Sequence, residues 1–147
     1  MTLSSHTTFQ ASAVAIDGRA VLITGPPGSG KSMLALALID RGATLIGDDG
    51  IVLRKFSRQV IAEPHPNIAG KLEIRGVGLI DFPTTSAPVA LIVNLDDIGE
   101  RLPEALCTQD LLGCAVPVLP LGASDAAALP LRTEWGLRVH ALTKESA

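Results

Sequence analysis

Residues 21–32, VLITGPPGSGKS, combine a short apolar run, a glycine-rich loop and the beginning of a helix. The apolar run Val21–Ile23 is typical of a buried parallel strand, and the loop from Gly25 to Gly30 cannot be helical. From Met33 onward the sequence is apolar and helix-favouring. The stretch therefore predicts a strand, a loop and a helix in that order, which is the setting of a phosphate-binding loop.

The spacing within this loop fits the motif G-x-x-x-x-G-K-[ST] at every fixed position. Glycines allow positive backbone torsion and bring peptide N–H groups close to phosphate oxygens, and the helix N-terminus adds its own donors. Lys31 supplies a cation for the β and γ phosphates, and the Ser32 hydroxyl is a hard oxygen ligand for Mg²⁺. A glycine-rich turn before a helix is the alternative, but the full pattern favours phosphate binding. The predicted nucleotide-binding residues are Gly25, Pro26, Pro27, Gly28, Ser29, Gly30, Lys31 and Ser32.

Length and composition limit the class of protein. A chain of 147 residues fits one domain, and 47% hydrophobic residues with only 3% aromatics imply a core of Ala, Val, Ile and Leu. Twelve basic and fifteen acidic side chains, without a basic cluster or stacking aromatics, argue against a nucleic-acid surface. The sequence has no signal peptide and no apolar stretch long enough to form a membrane helix. This predicts no membrane association and a cytoplasmic location. Cys107 and Cys114 are predicted to be reduced.

The elements around the loop predict an α/β fold. A hairpin is expected from Ala13–Ile16 through the "DG" turn into the Val21 strand, and the helix after the loop should end at Gly42. Strands are expected through Ile46 and from Ile51. We predict a central, mostly parallel sheet of five or more strands with the loop helix packed on it, and a small antiparallel section near the N-terminus and residues 51–62.

The C-terminal segment "SDAAALPLRTEWGLRVHAL" predicts a further helix, interrupted early by Pro130. Its apolar residues Leu131, Trp135, Val139 and Leu142 recur at helical spacing and are expected to form its packed face. Trp135 and His140 are interpreted as packing and surface residues rather than as parts of a site.

Two adjacent acids, Asp48 and Asp49, follow the strand that ends near Ile46. Adjacent carboxylates repel each other unless a cation or a proton lies between them. A polar Asp-Gly turn is the simpler interpretation. Beside a phosphate loop that needs a metal and a base, however, the pair indicates a functional role, and the sequence leaves open which acid is the base.

The stretch "LEIRGVGLIDF" carries the second group of candidate residues. Strand alternation places Glu73 and Arg75 on the face opposite Leu72 and Ile74. A Glu–Arg pair on a solvated strand face is the simpler account. A carboxylate for a metal and a guanidinium for a phosphoryl group are nevertheless what a phosphoryl-transfer site still lacks.

The segments "GPPGSGKS", "IGDDGIVL" and "LEIRGVGLIDF", in this order and with these gaps, resemble the HPr kinase/phosphorylase catalytic domain over roughly residues 10–120. The resemblance implies a phosphate-loop kinase domain similar to the phosphoenolpyruvate carboxykinase core. It implies an enzyme that uses ATP and Mg²⁺ to phosphorylate a seryl hydroxyl of the phosphocarrier protein HPr and that can reverse the reaction. Two alternatives are a small-metabolite kinase and a nucleotide-binding regulatory module with little catalysis.

The same resemblance implies roles for individual residues. Lys31 would bind nucleotide phosphates, Ser32 and Glu73 would hold Mg²⁺, and the Asp48–Asp49 pair would supply the base, with Asp49 also a candidate metal ligand. The catalytic candidates are Lys31, Asp48, Asp49, Arg75 and, in "GERLPE", Arg101.

The chain departs from the family pattern in three respects, one of which is a shorter segment after Asp81. It resembles a compact form of the family without the additional N-terminal domain, so the oligomeric state is open and a homo-oligomer is one option. A family histidine before the loop corresponds to Gln10, and an amide cannot exchange a proton near neutrality as imidazole does. We therefore expect forward kinase chemistry to persist and the reverse, phosphate-consuming reaction to be poor.

Overall fold

The computed structural model describes residues 6–96, 105–122 and 125–142. Within these ranges the chain forms eleven strands and two helices. In chain order they are β1 (His6–Phe9), β2 (Ser12–Ile16), β3 (Arg19–Thr24), α1 (Lys31–Asp40), β4 (Thr44–Gly47), β5 (Ile51–Phe56), β6 (Gln59–Pro64), β7 (Lys71–Ile74), β8 (Gly78–Asp81), β9 (Ala87–Asn94), β10 (Thr108–Leu111), β11 (Cys114–Pro120) and α2 (Leu129–His140).

Nine of the strands form one large sheet, and β7 and β8 form a separate hairpin. The sheet runs β1-β5-β6-β9-β3-β2-β4, and β11 joins β9 beside β6 while β10 pairs with β11. Between these strands only the pairs β3–β9 and β9–β11 are parallel. The expectation of a mostly parallel sheet is therefore wrong: the fold is mixed α/β with a mostly antiparallel sheet. The predicted antiparallel section exists, but β1, β5 and β6 belong to this same sheet.

Short turns explain why antiparallel pairing dominates. Asp17 and Gly18, with φ of 51° and 77°, join β2 to β3, and Ser57, with φ of 60°, lies in the turn from β5 to β6. A two-residue turn can only reverse the chain, whereas each parallel pair needs a long crossover connection. Of the two helices in the described ranges, only α1 lies between strands.

Strands β3 and β9 are buried on both faces of the sheet. Val21 and Ile23 pack with the helices α1 and α2 and with Leu72, whereas Ala20 and Leu22 pack on the opposite side against β5 and β6. Near-continuous apolar runs are expected for strands covered on both faces. Strand β3, which precedes the glycine-rich loop, is thus packed on both faces, and this packing holds the start of the loop in place.

Helix α1 begins directly after the loop and ends as predicted. Gly30 has φ of 101° and precedes Lys31, and Gly42 has φ of 113° just beyond the C-terminus. Arg41 pairs with Glu134 of α2 at 2.8 Å, and this hydrogen bond and the negative charge raise the pKa of Arg41. The two helices therefore meet at the end of α1 that lies away from the loop.

Helix α2 packs through a face that differs from the predicted one. Leu131, Trp135 and Val139 are exposed, whereas the buried residues are Leu129, Thr133, Gly136 and Leu137. Pro130 lies in the first turn, where a missing N–H costs nothing, so it begins the helix instead of interrupting it. Among the helices of the described ranges, neither is long and apolar enough to cross a membrane.

Candidate active site

The glycine-rich loop connects the end of β3 to the start of α1, as the motif requires. Gly25, Gly28 and Gly30 have φ of 154°, 83° and 101°, values that disfavour any residue with a side chain. The Ser29 N–H donates to the Pro26 carbonyl at 3.1 Å and closes a turn within the loop. A Cβ at Gly25 would lie only 2.6 Å from Ser29 Oγ. The loop conformation therefore depends on its glycines.

Lys31 extends along the loop that precedes it. Its Nζ donates to the carbonyl oxygens of Gly25 at 2.8 Å and Pro26 at 3.2 Å. These contacts place the ammonium group at the edge of the loop, where it is available to a phosphate. The role of Lys31 as a phosphate-binding cation stays a prediction.

The two adjacent acids have different environments. Asp48 Oδ1 accepts hydrogen bonds from Ser32 Oγ at 2.7 Å and from Ser12 Oγ at 2.8 Å. Asp49 is exposed, has φ of 62°, and its carboxylate makes no hydrogen bond or ion pair within the described part of the chain. Asp48 thus binds the Ser32 hydroxyl, whereas the Asp49 carboxylate has no hydrogen-bond partner among the described residues.

Ser12 contacts both acids, although no pattern in the sequence predicts this. It is completely buried at the start of β2, and besides its bond to Asp48 it accepts the Asp49 N–H at 3.4 Å. No motif surrounds Ser12, and its contact with the acid pair depends on the pairing of β2 with β4. Only the tertiary structure reveals this contact.

The hairpin β7–β8 supplies Glu73 and Arg75. Glu73 lies on β7 and is exposed while the preceding Leu72 is fully buried, as alternation predicts. Arg75 lies in the turn just after the strand. Neither charged group forms a hydrogen bond or ion pair with another residue in the ranges that the structure describes.

A cavity of about 440 Å³ brings most of the predicted residues together. It is lined by Lys31, Ser32, Asp49, Glu73 and Arg75, and also by Gln10. The walls are completed by four residues of the loop, Gly25, Pro27, Gly28 and Gly30, and by Met33 in the first turn of α1. Pro26, Ser29 and Asp48 do not line it, and the predicted catalytic Arg101 lies outside the described residues.

The oxygen atoms of the cavity suit a magnesium ion carried by a nucleotide. Ser32 Oγ, Asp49 and Glu73 are hard oxygen donors, and Ser32 uses its proton toward Asp48, which leaves its lone pairs available. Within the described ranges no three His, Cys, Asp or Glu side chains cluster as a complete metal site. This donor set fits Mg²⁺, which usually keeps several waters and takes further ligands from substrate phosphates.

Known proteins resemble this chain in sequence and in structure. HPr kinase/phosphorylase of Bordetella petrii is 36% identical over 151 residues, which is 92% of this chain and 49% of that protein. The enzyme of the same name from an Acidovorax species is 39% identical over 136 residues, 80% of this chain and 42% of that protein. The chain spans about half the length of these relatives.

The solved structure of the Hpr(Ser) kinase/phosphatase from Coxiella burnetii superimposes with a TM-score of 0.79. It is 33% identical and covers 90% of this chain and 88% of its own. The family model of the HPr serine kinase C-terminal domain matches residues 1–125. The chain therefore belongs to the HPr serine kinase C-terminal domain family.

Proposed function

We propose that this chain is an ATP- and Mg²⁺-dependent protein-serine kinase that phosphorylates an HPr-like phosphocarrier protein. The observation that carries the proposal is that Lys31, Asp49, Glu73 and Arg75 line one cavity beside a phosphate loop. These four side chains comprise a phosphate-binding cation, a candidate base, a candidate metal ligand and a second cation. The relatives' names support HPr as the second substrate.

Nucleotide binding is assigned to the loop and to α1. Peptide N–H groups of the loop and of the first helical turn donate to phosphate oxygens, and Lys31 contributes its charge to the β and γ phosphates. Ser32 and Glu73 are the residues that would hold Mg²⁺. An ion bound there would supply positive charge that offsets the negative charge of the phosphate oxygens and of the leaving oxygen.

Asp49 is assigned as the proton acceptor. Its carboxylate faces the cavity without a partner in the described residues, whereas Asp48 already accepts two hydroxyl hydrogen bonds. The seryl hydroxyl gives its proton to Asp49 while its oxygen forms a bond to the γ phosphorus. The bond from that phosphorus to the bridging oxygen breaks, and ADP leaves with the electron pair.

Two further residues complete the proposed site. Arg75 would pair with the equatorial oxygens of the transferring phosphoryl group, because a guanidinium matches two of them at once. Asp48 acts as a positioning residue through Ser32. Arg101 stays a predicted catalytic arginine, and a cytoplasmic location stays a prediction.

Phosphoryl transfer from labelled ATP tests the proposal. The purified chain should label an HPr carrier in the presence of Mg²⁺ and should not label a carrier whose acceptor serine is alanine. Label in a small metabolite instead would support the small-metabolite kinase. Tight nucleotide binding without transfer to any acceptor would support the regulatory module.

A further inference from the structure

Two polar side chains are completely buried in the part of the chain that the structure describes, Ser12 and Thr133. The Thr133 hydroxyl donates to the Leu129 carbonyl at 2.8 Å, so its hydrogen bond stays within α2. Ser12 begins β2 between Ala11 and Ala13, which are also fully buried. Burying a hydroxyl costs free energy unless it is hydrogen-bonded, and an alanine would fill nearly the same space. The Ser12 hydroxyl is therefore explained by its contacts rather than by packing.

Strand pairing brings Ser12 to the two adjacent acids. Strands β2 and β4 are antiparallel, and Ala13 pairs with Gly47 at the end of their ladder. Ser12 and Asp48 are the next residues outward, so they lie opposite each other just beyond the last pair. On its other edge Ser12 pairs with Ile23 of β3, the strand that leads into the glycine-rich loop. Ser12 thus lies between the strand that carries the loop and the strand that carries the acids.

The Ser12 hydroxyl uses both its proton and its oxygen on the acids. It donates to Asp48 Oδ1 at 2.8 Å, and it accepts the Asp49 N–H at 3.4 Å. Asp49 has φ of 62°, a conformation that costs free energy for a residue with a side chain and persists only where its surroundings stabilise it. The contact with its N–H therefore helps to hold the turn in which Asp49 lines the cavity.

Asp48 Oδ1 receives a second hydroxyl proton, from Ser32 at 2.7 Å. Hydrogen bonds to a charged acceptor are stronger than bonds between neutral groups. With Ser12 on one side and Ser32 on the other, the carboxylate cannot turn away from Ser32 without leaving the buried Ser12 hydroxyl unpaired. Ser12 therefore acts on the orientation of the Ser32 hydroxyl through Asp48.

We propose that Ser12 is a positioning residue that fixes the two adjacent acids in their separate functions. Ser12 is completely buried and does not line the cavity, so it acts on the reaction only through Asp48 and Asp49. It holds Asp48 toward Ser32 and holds the backbone of Asp49 so that the carboxylate faces the acceptor hydroxyl. This inference rests on the proposed kinase function and adds a residue that lies outside the sequence motifs.

The test removes one buried hydroxyl at a time. Ser12→Ala should lower kcat/KM for Mg-ATP by about tenfold or more, because it removes a hydrogen bond to a charged group. Calorimetric titration should show Mg-ATP binding weakened by about threefold or more. KM for the carrier should stay within about twofold, since Ser12 does not reach the cavity.

Thr133→Val is the matched control, because it also removes a completely buried hydroxyl and retains the volume of the side chain. It should lower the melting temperature and leave Mg-ATP affinity and both kinetic constants unchanged. Equal kinetic losses in Ser12→Ala and Thr133→Val would mean that Ser12 acts only on stability, which would overturn the inference. Wild-type kinetics in Ser12→Ala would overturn it as well.

Two further variants separate positioning from damage to β2. Ser12→Thr keeps a hydroxyl and suits a strand, so its kcat/KM for Mg-ATP should stay within about fivefold of the wild type. Ser12→Ala combined with Asp48→Asn should lose less than the product of the two single losses, because both changes affect one contact. A threonine variant as slow as Ser12→Ala, or losses that multiply, would overturn the inference while leaving the kinase function intact. Absence of transfer by the wild type would instead contradict the proposed function, and the binding titration would still report on Ser12.

Discussion

Ser32 Oγ donates a hydrogen bond of 2.7 Å to Asp48 Oδ1 and thereby connects the first turn of α1 to the end of β4. The bond orients the hydroxyl that we assign to Mg²⁺. Asp49, the next residue, lines the cavity instead. The adjacent acids thus have separable functions, and single substitutions can distinguish them.

Asp48→Asn and Asp49→Asn should differ in nucleotide affinity. Loss of the charge on Asp48 weakens its bonds to Ser12 and Ser32, so we expect Mg-ATP to bind about ten- to a hundredfold more weakly. Asp49→Asn should bind Mg-ATP within about twofold of wild type and lose about 10²- to 10⁴-fold in turnover. Calorimetric titration and single-turnover transfer measure the two effects. A matching loss of affinity in Asp49→Asn would make Asp49 a metal ligand, and normal turnover in both variants would make the pair a simple turn.

Lys31→Ala should strongly reduce nucleotide-supported transfer without unfolding the protein. Alanine is a good helix former, so the start of α1 is retained, while loss of the phosphate-binding charge should reduce kcat/KM about 10²- to 10³-fold. Lys55→Ala is the control, because Lys55 Nζ also donates to a backbone carbonyl, that of Leu112, but does not line the cavity. If Lys31→Ala transferred phosphoryl groups as fast as the wild type, the loop would have no part in the reaction.

Glu73→Gln should weaken the binding of Mg²⁺ at the active site. The amide is isosteric but neutral, so the concentration of Mg²⁺ at half-maximal activity should rise, by about tenfold or more. Because Glu73 has no partner in the described residues, its replacement should leave the melting temperature nearly unchanged. A magnesium titration at saturating ATP measures the shift. A curve that superimposes on that of the wild type would exclude Glu73 as a metal ligand.

Gly47→Ala should disturb the acid pair through the backbone. A Cβ at this position would lie 2.7 Å from the Gly50 carbonyl oxygen and 2.7 Å from Ile51 Cγ2, so the turn must shift. We expect a loss of about 1–3 kcal/mol in the free energy of unfolding, as for other overpacked sites, and reduced turnover. Gly50→Ala is the matched control, since its Cβ would meet only the Ile68 Cδ1 atom, at 3.3 Å. Equal stability of the two variants in denaturant titrations would contradict this account.

The features predicted from the sequence are those with local causes. The loop, the helix from Lys31 to the Gly42 cap and the turn at Asp17 each depend on residues adjacent in the chain. Whether neighbouring strands run parallel or antiparallel depends on long-range pairing, such as that of β6 and β11 with the same edge of β9. No local pattern in the sequence encodes such pairing. The packed face of α2 was missed because both of its faces carry large apolar residues, as Leu137 and Trp135 illustrate. Of the candidate site, the motif residues could be predicted and the contact between Ser12 and Asp48 could not.

Gln10→His should favour dephosphorylation of the phosphorylated carrier over its phosphorylation. Gln10 lines the same cavity as Asp49 and Glu73, so inorganic phosphate, with one to two negative charges, must enter beside two carboxylates in the reverse reaction. A neutral amide can offset this repulsion only by hydrogen bonding, whereas an imidazolium carries a positive charge. A partly screened contact between two charges is worth about 1–4 kcal/mol, which corresponds to a roughly five- to several hundredfold change in rate.

Gln10→His should therefore raise the rate of the phosphate-dependent reverse reaction by roughly five- to several hundredfold and should change the kinase rate little. The gain should decrease as the pH rises past about 7, because the imidazole then loses its proton. Gln10→Asn, which keeps a neutral amide, is the control and should not show the gain. Initial rates in both directions between about pH 6 and 8 measure the asymmetry. A wild type that already runs the reverse reaction as fast as the forward one, or a histidine variant that changes both equally, would contradict it.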